Sequence, residues 1–495
     1  MGRTGHRLET TARGALAAAL TLAVLAGQGE PAAPADGAAS AAAAADFRTP
    51  DGSRVLLLPD GGAPLVHWAV ATPCGAAIDP LTSPGLAAAC AEASLRGTWR
   101  TGSFDTDRER AARTALDAAA TDLQVAPRSG GAVPAELQAA VDRLRAEAAA
   151  LCDPLAFRRV LLAAPTTDLE LQQSEHATVL TFTTTPLAVA AVAKLLVERR
   201  EDQALRSVRD DLAARSRAAA ARWDEAPLSP LYAELLALAF PGHPLARAGD
   251  RPTAADCTRA QALATWNRAQ HPLHTVHVLT GNFDPAAVRR ALEDAFATTA
   301  LPAPEPLPAA TPRQWPALRR SLVPGAAHPA AVLAVPLRPG DDRAAVQTAA
   351  RWFAGGDDSW LAREFVRRGR KGVRVETRAP WPEGAGTGML VIEVQDPGGG
   401  AVTLADELLA LCAPTAAKAP RAGELAAAFG GVLREFELAT RRPDAAAAWF
   451  ARELLLHPDA AAPPPPPQTP AYPELPALLQ GILGRTPIVV EWRDT

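Results

Sequence analysis

A run of prolines divides this chain. Pro302, Pro304, Pro306, Pro308, Pro312 and Pro316 fix φ and remove backbone donors at short intervals, so residues 299–317 suit neither a helix nor an inner strand. They read as an extended, semi-rigid linker. At 495 residues the chain is too long for one ordinary core, and the same plan of strands and helices recurs on either side of the prolines. We expect an α+β protein of two tandem, homologous domains, 47–298 and 318–495. Each is a mostly antiparallel sheet with helices packed on one face.

In the first domain, Phe47 to Leu58 alternates and ends at Pro59-Asp60-Gly61-Gly62, a strand closed by a turn. Leu65–Thr72, Thr178–Thr183 and the apolar stretch from His274 read as further strands. Helices are expected over Gly85–Arg96, Thr106–Leu123, Pro186–Glu198, Asp202–Trp223 and Ala286–Phe296. Between them, Leu137, Val141, Leu144 and Ala148 keep helical spacing, so about 125–175 reads as an inserted helical arm. In the second domain, strands fall at Ala330–Leu337, Gly372–Thr377, Met389–Val394 and Ile488–Trp492, with a helix at Asp342–Phe353. Pro463–Pro467 is a polyproline loop and Gly398-Gly399-Gly400 a turn.

The N-terminus carries an address. Arg3, Arg7 and Arg13 precede the apolar run Ala15–Ala26, which has the length of a signal-peptide core and is too short to span a bilayer. We expect a signal peptide over 1–35, with Ala33-Pro34-Ala35 offering a cleavage site, and a tether over 36–46. The protein is then exported, to a bacterial periplasm, with no membrane span after signal removal. A net charge of -4 and the absence of a Lys/Arg stripe argue against nucleic acid as a partner. Cys74, Cys90, Cys152, Cys257 and Cys412 contain no C-x-x-C pair and read as buried free thiols. No nucleophile elbow, Walker loop or dinucleotide fingerprint is present.

Several short segments carry a family resemblance. They are Val55–Asp60 through Gly97-Thr98, Leu231–Leu245 ending in Phe-Pro-Gly-His-Pro, His274–Pro285, and Gly355-Gly-Asp-Asp-Ser-Trp-Leu361. Together they resemble the M16 (insulinase/pitrilysin-like) zinc peptidases over roughly 47–124 and 176–495. Some bacterial M16-like proteins have an insertion after a Gly-Thr…Gly-Thr-x-Asp segment, which here corresponds to Gly97–Asp105. The family's inverted zinc motif, H-x-x-E-H, lies on the helix that here reads Gly85–Thr98. Aligned on its Gly-Leu-Ala start and Gly-Thr end, the two His positions fall on Ala88 and Glu92, and the Glu position on Ala91. The later zinc ligand, anchored on Pro227-Leu228 and Leu231-Tyr232, falls near Ala218.

The resemblance therefore implies a degenerate, catalytically silent member. Zinc is the family's cofactor, but its ligands are absent here, and no metal is expected. The implied role is the non-catalytic or peptide-binding half beside an active M16-type peptidase subunit, in a heterodimer. A Gly-Leu-x-Tyr stretch common in the family's second domain becomes Gly372-Val-Arg-Val375, and Arg370, Lys371 and Arg374 are the candidate contacts for a peptide or a partner. Two alternatives stay open. One is an active zinc metalloendopeptidase with unconventional ligands from Glu92, Asp211 and His67. The other is a stand-alone structural or assembly protein. His271, His274 and His277 form no shared metal site if His274 and His277 point to opposite faces of one strand, and His243 reads as a turn residue.

Overall fold

A computed structural model describes residues 44–493 apart from short stretches at 127–133, 253–256, 298–303, 309, 325–327, 384–387, 399–403, 416–420, 461, 463–465 and 468–473. The expected signal peptide, all but the end of the tether, and parts of the linker, the Gly turn and the polyproline loop lie outside the described residues.

The first half runs β1 (Ala45–Arg48), β2 (Arg54–Pro59), β3 (Val66–Thr72), α1 (Leu86–Ala93), α2 (Thr106–Val125), α3 (Ala135–Ala150), α4 (Ala156–Ala163), β4 (Thr167–Gln173) and β5 (Thr178–Thr184). It continues through α5 (Val189–Glu201), α6 (Val208–Glu225), α7 (Ser229–Ala239), α8 (Arg259–Ala269), β6 (Val276–Gly281) and α9 (Pro285–Ala295). The second half runs β7 (Arg319–Pro324), β8 (Ala330–Pro336), α10 (Arg343–Ala354), α11 (Trp360–Arg367), β9 (Arg374–Trp381) and β10 (Met389–Gln395). It ends with α12 (Leu404–Thr415), α13 (Ala422–Thr440), α14 (Pro443–Leu456), α15 (Glu474–Leu483) and β11 (Ile488–Arg493).

The repeat is visible in the topology. The first sheet has the order β1-β2-β6-β3-β5-β4 and the second β7-β11-β8-β10-β9. Leaving out β1, the two orders match strand for strand. Each has one parallel pair, β2 with β6 and β7 with β11, and is otherwise antiparallel. Local chemistry fixes several helix starts. Asp284 caps α9 by accepting from Ala286 N, Asp342 caps α10 through Ala345 N, and Ser359 caps α11 through Ala362 N. Gly281, at the end of β6, has φ +125, and a Cβ there would lie 1.9 Å from the Leu65 carbonyl oxygen, so only glycine fits.

Strand alternation shows where the cores sit. On β3, Val66, Trp68 and Val70 pack with α4, α5 and α9, while Ala69 and Ala71 face the other way. On β8, Leu333 and Val335 pack with α10–α13, while Val332 and Ala334 face the other way. That second face is also buried, and by the opposite half. Ala446, Ala447, Phe450, Ala451 and Leu454 of α14 cover the first sheet. Leu231, Leu235, Leu236 and Ala239 of α7 cover the second. The expectation of helices on one face thus describes each half's own helices, and an exchanged helix supplies the other layer. The central strands are consequently apolar on both faces.

Several local readings are corrected. Phe47–Leu58 is not one strand but the β1–β2 hairpin, turning at 49–53, where Thr49 and Ser53 bond Asp51. The segment 125–175 is not wholly an inserted arm. Phe157 and Leu161 of α4 join the first core, and β4 is an edge strand of the sheet. The α2–α3 hairpin packs on itself and is tied to the body by the buried Glu109–Arg206 ion pair. The helix expected from Asp202 begins at Val208, after Leu205 and Ser207 turn the chain with positive φ.

Candidate functional site

The motif-bearing helix is short and tightly placed. α1 packs on α6 and α8. Its first amides are held by Asp79 from the preceding loop, which accepts from Gly85 N at 2.6 Å and Ala87 N at 2.7 Å. This carboxyl is buried, and desolvation pushes it up to about 7, although the two amides and Arg215 pull it down.

Along α1 the aligned positions divide by face. Ala88 and Glu92 are one turn apart and partly exposed, whereas Ala91 is buried with Cys74 and Ile78. Glu92 meets Arg215 of α6 in an ion pair. One turn further, Arg96 donates to both oxygens of Asp211, at 2.7 and 3.2 Å. The two helices thus run antiparallel and are joined by two ion pairs of opposite sense. Ala218 lines the same cavity as Glu92 and Arg215. Ala88 is not on that wall, and its carbonyl accepts from Gln173 Nε2 of β4 at 3.0 Å.

The cavity has a volume of ≈ 760 Å³ and is lined by parts of α1 and α6 and by the segment 244–252. Four guanidinium groups reach it, from Arg215, Arg222, Arg247 and Arg251. Arg247 pairs with Asp250 and Arg251 with Asp224.

These residues do not fit a zinc ion. A zinc site needs three protein donors converging on one point. Ala88, Ala91 and Ala218 offer none, and the single carboxylate at the aligned positions, Glu92, is held by a guanidinium; of the other acids lining the cavity, Asp79 is bound to the amides of Gly85 and Ala87, and Asp250 pairs with Arg247. The alternative ligand set is not brought together either. Asp211 is bound to Arg96 and Ser207. His67 bonds Thr183 Oγ1 at 3.0 Å, on the face of β3 that turns toward α14. Among the described residues no group of three His, Cys, Asp or Glu side chains is placed to hold a metal ion.

The remaining candidates have other tasks. His274 ends a 3₁₀ turn before β6 rather than lying on the strand, with its ring 5.8 Å from that of His271. His277 is buried on β6, takes the Trp68 indole N–H at 3.3 Å, and is lowered by burial to about 4. His243 caps its turn through Leu245 N. The five cysteines are buried and form no disulfide among the described residues, and burial pushes the Cys74 and Cys412 thiols up to about 12, which removes these two as nucleophiles. Arg370 corrects an expectation. Its guanidinium is occupied by Asp396 at 2.6 Å and Glu407 at 3.2 Å, so it is not a free peptide contact. Lys371 and Arg374 are exposed.

Sequence reasoning missed Arg215 and Asp79. The only signal for Arg215 was a lone acid on an alanine face, which demands a nearby cation. No local pattern encodes the register of α6 against α1 finely enough to find it.

No protein-family model matches the chain, and no curated protein does. Solved structures do. A protease from Helicobacter pylori matches with a TM-score of 0.63 at 12% identity, over 91% of this chain and 99% of that one. The inactive domain of a peptidase M16 from Pseudomonas fluorescens matches with a TM-score of 0.62 at 15% identity, over 91% and 98%. An M16-like peptidase from Alicyclobacillus acidocaldarius matches with a TM-score of 0.59 at 14% identity, over 92% and 98%. The chain therefore has the two-domain fold of the M16-like peptidases.

Proposed function

We propose that this protein is a non-catalytic M16-like half, an exported pseudopeptidase that holds peptide beside an active M16-type zinc peptidase. The observation that carries the reading is the Glu92–Arg215 pair. A side-chain cation bonds the one carboxylate left at the motif positions, and alanines stand at the others. A bound zinc would meet that guanidinium and too few donors, so the metal-activated water of a zinc peptidase has no place to form. The likeness to the inactive domain of a peptidase M16 supports this. Exchange of α7 and α14 gives one continuous body that a second such body could close against.

A second reading draws on a different likeness. Complex III2 from Candida albicans matches with a TM-score of 0.54 at 13% identity, over 90% of this chain and 95% of that one, which supports the reading of a stand-alone structural or assembly protein. Restoring the motif tests the site assignment common to both. A chain carrying Ala88→His, Ala91→Glu, Glu92→His and Ala218→Glu is expected to gain zinc by elemental analysis. A folded variant that binds none would show that these are not the motif positions.

A further inference from the structure

We propose that the cavity between α1 and α6 is a carboxylate site that holds the C-terminus of a peptide. This rests on the reading of the site as one without zinc, and it names what the site takes instead. Arg215 donates to Glu92 through Nη1 to a single carboxylate oxygen. A guanidinium has five donors in a planar fork, so most of its hydrogen-bonding capacity is left over. The pair is also accessible, with Arg215 31% and Glu92 40% exposed. Ion pairs of this kind are weak and exchange readily.

A second cation stands on the same helix. Arg222 is exposed, lines the cavity and makes no ion pair among the described residues. It lies seven residues after Arg215, two helical turns or about 10 Å along the axis. Between the two arginines the wall is made of methyl groups, Ala218 and Ala219, with Leu212 a turn before Arg215. A ligand matching this wall has one carboxylate and a short apolar body. The cavity volume of ≈ 760 Å³ lies within the range of small-ligand sites and leaves room for a few residues of peptide. Arg215 would take the carboxylate on its free edge, and Arg222 would supply the uncommitted charge, a charge-assisted arrangement that an amide cannot reproduce.

The test is calorimetric titration of the full chain with acetyl-Ala-Ala-Leu as free acid, the same peptide as C-terminal amide, and hexanoate. The expected result is that the free acid binds at least about tenfold more tightly than the amide and more tightly than hexanoate. Arg222→Gln should weaken the acid without changing the amide. Glu92→Gln should tighten the acid severalfold, because it releases Arg215. Equal binding of acid and amide, no binding of the acid, or indifference to Glu92→Gln would overturn the proposal. Hexanoate binding as tightly as the peptide acid would also overturn it, by assigning the site to small aliphatic acids. Zinc content and peptide cleavage measured on the same sample separate the two failures. Zinc with chelator-sensitive cleavage sinks the zinc-free reading itself, whereas no zinc and no preference for the acid sinks only the carboxylate assignment.

Discussion

Two helices change places in this molecule, and their two interfaces are built differently. α14 lies on the first sheet mainly through alanine, phenylalanine and leucine, against Leu56, Ala69, Ala71, Val179, Val276 and Val278, and Thr280 of β6 donates to the Pro443 carbonyl at its start at 2.8 Å. α7 lies on the second through leucines and also through polar bonds. Tyr232 donates to Glu393 at 2.6 Å, and Ser321 donates to Glu234 at 2.6 Å. The first interface depends mostly on shape and apolar area, and its bond from Thr280 goes to a backbone carbonyl rather than to a side chain. The second adds directional bonds that fix register. Both bury a sheet face that its own half leaves open, so the two halves should fold as one cooperative body.

The largest effect should come from separating them. A fragment of residues 44–297 lacks α14 and would expose the apolar face of its sheet. It should bind a hydrophobic dye and aggregate, and mixing with residues 304–493 should restore solubility. A soluble, dye-silent first fragment would break the comparison. Next are the helix anchors. Leu454→Ala and Leu235→Ala each remove a fully buried side chain and should cost about 2–5 kcal/mol in denaturant unfolding. Tyr232→Phe should cost less, about 1–3 kcal/mol, through the acceptor it leaves unpaired. If Tyr232→Phe proves neutral, the polar half of the contrast fails.

Acid should destabilise the whole body through groups in the first half. His277 and His176 are buried there and are lowered from 6.5 to about 4 by desolvation. Their folded values lie below the unfolded one, so the unfolded chain takes up protons first. The stability they contribute is whole above pH 6.5 and is lost as the pH falls toward 4, on the order of 3 kcal/mol for His277. His277→Gln, which keeps an acceptor for Trp68, should flatten this acid limb of the melting temperature. An unchanged limb would place the acid sensitivity elsewhere.

The contrast also explains what the sequence could tell. Strands such as Ala330–Pro336 and the helices that start after Asp284 and Asp342 were legible because their signals are local. β4 was missed although Thr167–Gln173 alternates, with Leu169 and Leu171 turned to the core, because it was absorbed into a helical arm. The exchanged helices were illegible for a deeper reason. An alanine such as Ala69 on the outer face of a strand says that something packs closely there, but not which helix. The site followed the same rule. The positions Ala88, Glu92 and Ala218 could be aligned along the chain, but the ion pair of Glu92 depends on the register between two helices, which no local pattern encodes.

That ion pair is the centre of the account, and metal content of the purified protein tests it most directly, with peptide hydrolysis measured on the same sample. The account predicts no stoichiometric zinc and no chelator-sensitive cleavage. About one zinc per chain with cleavage abolished by a chelator would contradict it.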